Sequence, residues 1–417
     1  MSWVGPFRRV WTALALSNLG DGLLVVALPL LIIQYTRNPI LVAGIAAAAQ
    51  APYLLISLFA GVLADRQDRR RLLLLVNTVA VAVLLTATVA STAGGSMAVL
   101  ALYATAFVVG ACQTVVNTTT PAMLPTIVPR TRLEWANSRL QGTESVLYEF
   151  AAPPLAGLLV TTGVALTFGT IAGAYVAVGF VLWGLRGTFR PERQPGRVLA
   201  DICEGLQFVW RHHVLRTLTL MVAVMAGCWA AWESVLVLHV VNPGPVGLNG
   251  FGYGVLITML AAGGLGGAFT AEHMRRLIGR RNVLLTDLVA ATIMIGTPAL
   301  TTNRYLIGAA ILTGGFGSGM WNVTCASLQQ ALTPEHLRGR VKASALLLGW
   351  GPLPVGALLG GVIAHAFGTQ VVFAGGALLI AALFIPATRA LTTQAVSISE
   401  TFDPDQADHP RKHSASG

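Results

Sequence analysis

The chain has 417 residues, 54% of them hydrophobic and 11% charged, with a mean hydropathy of +0.69. That charge is less than half of what soluble domains carry, and apolar runs of about 20 residues recur along the sequence, which excludes an ordinary soluble domain and points to a polytopic membrane protein. The formal net charge of +10 does not indicate nucleic-acid binding, because the arginines sit in short loops between the runs.

The runs are continuous rather than alternating, so they read as helices and not as barrel strands. Twelve spans are expected, near 10–35, 40–64, 72–92, 97–120, 138–162, 165–186, 214–241, 250–272, 282–301, 304–328, 341–364 and 370–390. The first follows Arg8 and Arg9, and it is too long for a signal peptide, so it reads as an uncleaved span. Between spans, only Arg37 and Arg304 lie on the bare side, leaving 25 of the 27 Lys and Arg residues on the other. The positive-inside rule places that side and both termini in the cytoplasm.

Span 1 contains "NLGDGL", which sets Asp21 between Gly20 and Gly22, with Asn18 one turn earlier. A carboxylate in mid-bilayer costs about 2.5–3.5 kcal/mol on insertion scales and is a functional candidate by default. The loop after span 2 reads "GVLADRQDRRR", from Gly61 through Asp65 and Arg66 to Arg69, Arg70 and Arg71. Positive-inside anchoring explains the arginine run by itself. The whole pattern points further, to a conformational latch: Asp65 at a helix end faces basic or dipolar partners, and Gly61 admits a close neighbour. Span 4 places Gln113 and Asn117 one turn apart.

Span 5 carries Glu144 and Glu149, five apart and expected on somewhat different faces, followed by "AAPPLAG", where a kink is expected. A polar stretch over 187–213 separates six spans from six. In it Ile202, Leu206, Val209 and Trp210 share one helical face, which predicts an amphipathic helix at the membrane interface or a plain linker helix. Span 7 clusters Trp229, Trp232 and Glu233. Span 9 holds Asp287 near its Arg-rich end, where solvation is expected. Span 10 carries Phe316, Trp321 and Asn322 after a glycine-rich stretch. His239 and His365 sit near the bare ends of their spans and read as interface residues. The tail, 391–417, is polar, without periodicity, and expected to be disordered.

The halves echo each other at an offset of 205 residues, which relates Asn117 to Asn322, Pro129 to Pro334, Gly61 to Gly266 and Arg70 to Arg275. Internal repeats of this kind are common in transporters. Domain boundaries are therefore expected at 1–186 and 214–390 for two six-helix bundles, with the linker at 187–213 between them.

No Lys or Arg lies deep in a span, so Asp21, Glu144, Glu149 and Glu233 have no basic partner in their own segments. A carboxylate withdrawn from water without a cation favours its protonated form and ionises when water or a cationic ligand arrives. That is the behaviour a proton-coupled carrier requires; the bland alternative is a permanently protonated structural acid. Asn18, Gln113, Asn117, Trp229, Trp232, Phe316, Trp321 and Asn322 are candidate cavity residues, since aromatics beside a carboxylate suit large amphipathic cations. Each also fits ordinary helix packing. The chain's two lysines, Lys342 and Lys412, follow no phosphate-binding glycine loop, and no HExxH, GxSxG or Cys/His metal set is present. No enzyme, cofactor or metal is indicated, and the four scattered cysteines read as small apolar fillers.

"GVLADRQDRRR" resembles the signature loop of the major facilitator superfamily, G-x-L-A-D-R-x-G-R-R, with Asp68 where glycine is usual. In the second half, "GGAFTAEHMRRLIGRR" is a degenerate copy with Thr270 in place of the Asp and Glu272 nearby. "LSNLGDGLL", "LEWANSRLQG", "EGLQFVWRHHVLRTLTL", "ESVL" and "LTPEHLRGRVKA" extend the likeness over nearly the whole chain. They resemble the drug:proton antiporter branch that includes macrolide, multidrug and siderophore exporters. Span 4 departs from many such antiporters in having no Arg. The resemblance implies an all-α membrane protein of twelve transmembrane helices in two six-helix bundles. It also implies proton-coupled export of hydrophobic or cationic small molecules by a monomer in the cell membrane. An exporter dedicated to one siderophore or metabolite is the alternative, and a non-transporting sensor or partner protein a remote one.

Overall fold

The computed structural model describes residues 3–92, 94–185, 189, 198–211, 213–333, 337, 341 and 347–390; within these, the side chains at 58, 62, 65, 198–203, 205, 330–332 and 390 are outside the description. The tail at 391–417 and the linker residues 190–197 lie outside the described residues. The helices are α1 (Val4–Tyr35), α2 (Pro39–Arg66), α3 (Arg69–Thr92), α4 (Gly95–Ile127), α5 (Leu133–Glu144), α6 (Ala152–Thr162), α7 (Val164–Trp183) and α8 (Val198–Arg211). They continue with α9 (His213–Val240), α10 (Gly250–Leu300), α11 (Arg304–Leu332), α12 (Pro352–Phe367) and α13 (Thr369–Ala382). A short helix, Phe384–Ala390, extends the last crossing.

Nine of these helical segments, among the described residues, are long and apolar enough to cross a membrane. One of them, α10, is 51 residues long and breaks at Gly279, whose φ of 79° ends one crossing and starts the next. Two more crossings are less uniformly apolar: α11, and the rod from Leu133 to Thr162 in which a π-helical turn, Ser145–Ala151, joins α5 to α6. Among the described residues the architecture is all-helical, and it is consistent with the twelve spans that the apolar runs predict.

Lipid cannot drive helices together by the hydrophobic effect, so close packing through small residues does much of that work. Between the first half of α10 and α11 the contact is reciprocal. A Cβ on Gly263 or Gly267 would collide with the carbonyls of Leu312 or Phe316, and one on Gly315 or Gly319 with those of Leu260 or Gly264. In the first half, Gly110 of α4 meets the Ala49 carbonyl of α2 in the same way. Gly110 and Gly315 are 205 apart. So are Gly163 (φ 114°) and Gly368 (φ 87°), each of which forms the sharp turn between the last two spans of its half. The repeat read from the sequence therefore extends to backbone conformation.

The two halves meet closely at the bare-loop end. Gly157 of α6 and Gly250 of α10 face each other with no room for a Cβ on either, and Gly254 lies against the Pro153 carbonyl and Pro154. Across the other seam, Gly361 of α12 approaches Pro39, Ile40 and Ala43 of α2. Arg37, in the first connection, donates to the Asn242 carbonyl at 2.6 Å and the Val241 carbonyl at 3.5 Å, in the connection after α9.

Val209 of α8 is buried with Leu215, Leu337 and Val341, so the linker helix docks on the second half. Trp210, expected on the same apolar face, is exposed. The Ile202 side chain lies outside the described residues.

Candidate functional site

Asp21 is the best-defined polar centre among the described residues. Ser17, one turn earlier on α1, donates to Oδ2 at 3.3 Å, and Gln113 of α4 donates to Oδ1 at 2.8 Å. The Tyr175 hydroxyl of α7 also donates to Oδ1. Gly20 accommodates the Tyr175 ring, with space for a Cβ only at contact distance, 3.5 Å from the ring. Gly22, on the opposite side, faces the Tyr148 carbonyl and Ala152 so tightly that a Cβ would lie 2.7 Å from each. The two glycines flanking Asp21 thus seat span 1 between span 6 and the π turn of span 5.

These donors correct one expectation. Asp21 lacks a basic partner, but it is held by three hydrogen bonds. The residue that reaches it from its own helix is Ser17, not Asn18. The i,i+4 spacing closes the bond better than i,i+3 here, and Asn18 does not line the adjoining cavity. That cavity, of about 30 Å³, lies among α1, α3, α4 and α7; Asp21, Ser17, Gln113, Asn77, Thr120 and Tyr175 are its polar lining.

Span 5 brings further acids to the same region. An α-helix would set Glu144 and Glu149 about 140° apart, whereas a π turn, with its i→i+5 bonds, reduces the separation to about 50°. The two carboxylates accordingly lie close enough to interact with one another, with Ser145 beside Glu149. Their expected separation onto different faces is corrected by the π turn. Its cause is local: Pro153 and Pro154 start α6 without N–H donors, so the preceding turn loses its ordinary i→i+4 bonds. The Phe150 carbonyl, without a donor from Pro154, accepts from Thr258 of α10 at 3.4 Å. The expected kink is therefore a π turn packed across the two halves.

Tyr148, at the centre of that turn, is close enough to Asp21, Glu144, Glu149 and Glu233 to interact with the charge of each. Glu233 lies beside Trp229 and near Tyr253 of α10. Trp229 and Trp232 pack with ring centroids 5.3 Å apart. Trp232 is fully buried, and its indole N–H has no hydrogen-bond partner among the described residues. So the structure brings Asp21, Gln113, Glu144, Glu149, Trp229, Trp232 and Glu233 around one junction of spans 1, 4, 5, 7 and 8.

The other candidates fall elsewhere. Trp321 is buried, Phe316 is packed against Gly263 and Gly267, and Asn117 and Asn322 are both exposed. Asp287, expected to be solvated, is buried against Gly317 of α11, because the break at Gly279 starts its helix early and carries it two turns into the bundle. His239, expected at the interface, is buried edge-on to Phe373, with Thr369 at 3.3 Å from Nδ1. Cys112, Cys228 and Cys325 are free and buried, consistent with fillers.

The arginine loop ties the first half together. Arg69 is buried and donates to the Ala64 carbonyl at 3.4 Å and the Ala122 carbonyl at 2.6 Å. Arg70 caps the C-terminus of α7 through the carbonyls of Leu182 and Trp183, at 3.1 and 2.7 Å. Asp68, where the superfamily pattern has glycine, accepts from the amide of Arg71 at 3.1 Å as a helix cap and from the amide of Phe189 at 3.1 Å. Arg66 is exposed, and the Asp65 side chain lies outside the described residues. Among the described residues nothing lies within 4 Å of a Cβ placed on Gly61, where a close neighbour was expected. Glu272, the possible substitute in the second copy, pairs with Arg275 at 2.8 Å and Arg276 at 2.9 Å on its own helix.

Ser17, Tyr148 and Tyr175 were not among the residues singled out in the sequence. The signal for Ser17 was its i,i+4 spacing from Asp21; the tyrosines gave none, since each looks like packing until the bundle is assembled.

A model of the transmembrane secretion effector family matches residues 4–413. The chain is 31% identical over 409 residues to the multidrug efflux pump Tap of Mycolicibacterium fortuitum, with 93% of this chain and 97% of that one covered. A solved structure of the nucleoside transporter NupG, in a mutant form, matches with a TM-score of 0.74 at 10% identity, covering 94% of this chain and 100% of that one. A bacterial homologue of the iron transporter ferroportin, in an inward-facing state, gives 0.73 at 17% identity over 93% and 100%. At those identities the structures speak for the fold alone. Matched along nearly its whole length, the chain belongs to the transmembrane secretion effector family of the major facilitator superfamily, and it is a multi-pass membrane transporter rather than an enzyme.

Proposed function

We propose that this chain exports hydrophobic or cationic drugs and related small molecules by proton-coupled alternating access, as a monomer in the cell membrane with both termini in the cytoplasm. The observation that carries drug export is the similarity to Tap across almost the full length of both chains. Proton coupling is supported by the carboxylates. Asp21 in the first half and Glu233 in the second approach one junction, with Glu144 and Glu149 beside them and no Lys or Arg deep in any span. Each acid carries a proton when the site is dry and gives it up when substrate or water arrives from the cytoplasm.

Close packing of the halves at the bare-loop end, together with the lack of a close neighbour to Gly61 among the described residues, supports a conformation that faces the cytoplasm. In this reading Arg69 and Arg70 hold the loop to its own half. Gly61, Asp65 and Arg66 receive the second half when the cytoplasmic side closes. Trp229, Trp232, Asn18, Gln113, Asn117, Phe316, Trp321 and Asn322 remain candidates for substrate contact.

The test is dye or macrolide extrusion from proteoliposomes under an imposed pH gradient, with a protonophore control, followed by a panel of unrelated drugs. Gradient-dependent export of several unrelated compounds is expected. Export of one compound alone favours a dedicated carrier, and no flux of any compound contradicts the proposal.

A further inference from the structure

The cavity beside Asp21 lies inside one half of the molecule, whereas an alternating-access substrate path lies between the halves. Its walls come from four helices of the first half. On α1 they run from Asp21 back through Ser17 and Ala13 to Val10, a length of about 16 Å. On α3 and α7 they run from Ala80 to Leu73 and from Tyr175 to Leu182, in each case from mid-span towards the Arg-rich face. The Leu182 carbonyl at that end is bonded by Arg70.

The cavity's volume of about 30 Å³ is room for about two or three waters, since a water needs roughly 10–15 Å³ on this measure and two to four polar partners. The partners are present. Asp21, Gln113, Asn77 and Tyr175 line it, and so does Thr120, whose buried hydroxyl has no hydrogen-bond partner among the described residues. An orphan hydroxyl of this kind is a second, independent sign of an ordered water. The titratable groups near Asp21 are Tyr175 on α7, Cys112 on α4, and Glu144 and Tyr148 on the span-5 rod, none of them basic.

We infer that this cavity is a proton exit, separate from the substrate path, through which Asp21 discharges to the cytoplasm. The Asp21 carboxyl gives its proton to cavity water, forming a carboxylate and a hydronium. The carboxylate is received by the Ser17, Gln113 and Tyr175 donors. The hydronium's excess proton passes by Thr120 towards the Arg-rich face. Substrate does not have to leave the cleft for the proton to leave Asp21. The inference rests on the reading of Asp21 as a proton carrier.

Ala80→Leu fills the cavity from α3, a helix that supplies none of Asp21's three donors, and Thr120→Val removes the orphan hydroxyl at constant shape. The measurements are substrate binding by the purified protein, proton release on substrate addition followed with a pH dye, and gradient-driven efflux in proteoliposomes. Ala80→Leu is expected to slow proton release and efflux at least about tenfold, with binding within about twofold of wild type. Thr120→Val is expected to slow both several-fold, with Thr120→Ser restoring them. Wild-type rates in Ala80→Leu overturn the route while leaving Asp21 as carrier. Should Ala80→Leu not fold, wild-type rates in Thr120→Val do the same. Undiminished proton release in Asp21→Asn instead removes the reading of Asp21 on which the route rests.

Discussion

Tyr175 of span 6 donates its hydroxyl to the carboxylate of Asp21 in span 1, and Asn77 of span 3 fixes the same turn by donating to the Tyr175 carbonyl at 2.6 Å. Three helices of the first half thus converge on the one acid of span 1. Tyr175→Phe removes a single donor and keeps the ring beside Gly20. Because a hydrogen bond to a charged group contributes about 1.5–3 kcal/mol, gradient-driven efflux is expected to fall about tenfold or more. Equilibrium substrate binding, measured on the same preparation, is expected to stay near wild type.

Gly22 and Gly20 separate packing from tolerance. Gly22→Ala would place a methyl group 2.7 Å from the Tyr148 carbonyl, whereas at Gly20 the nearest atoms lie 3.5 Å away. Gly22→Ala is expected to cost about 1–3 kcal/mol and to lower the unfolding temperature in detergent. Gly20→Ala is expected to leave that temperature unchanged or raise it slightly. Equal effects of the two substitutions would contradict the packing described at the π turn.

The glycine seam of the second half makes a sharper contrast. Gly267→Val has no space, because the Phe316 carbonyl already occupies the position of a Cβ; Gly173→Ala meets nothing within 4 Å. Loss of monodisperse protein on size exclusion is expected for the first and wild-type behaviour for the second.

Among the loop arginines, Arg69 is buried with two carbonyl partners and Arg66 is exposed. Arg69→Ala removes a buried charged group together with its bonds to carbonyls of α2 and α4 and is expected to destabilise the protein by about 2 kcal/mol or more. Arg66→Ala is expected to leave thermal unfolding unchanged while slowing efflux. A stability loss of the same size in both would remove the distinction between anchoring and latching arginines.

Much of this was legible in the chain. Apolar runs located the crossings, the arginine-bearing loops ordered them, and the offset of 205 residues gave the repeat that Gly163 and Gly368 repeat in their backbone angles. Asp21 and Glu233 announced themselves because charge inside a span is rare. What was not legible depended on assembly. The π turn follows from two prolines, but proline also kinks a helix in other ways, so the changed phase of Glu149 appears only with the backbone. Tyr175 and Tyr148 are ordinary aromatic residues until helices far apart in sequence are packed together. Asp287 and His239 were misplaced because the depth of a residue near a span's end changes with one turn of helix.

The account centres on Asp21 and Glu233 as the groups that couple protons to export. The most direct measurement is drug efflux from proteoliposomes driven by a pH gradient alone, for wild type, Asp21→Asn and Glu233→Gln, with drug binding measured in parallel. Gradient-driven efflux is expected to be lost in each neutralised variant that still folds and binds drug. Unchanged gradient-driven efflux in both would contradict the account.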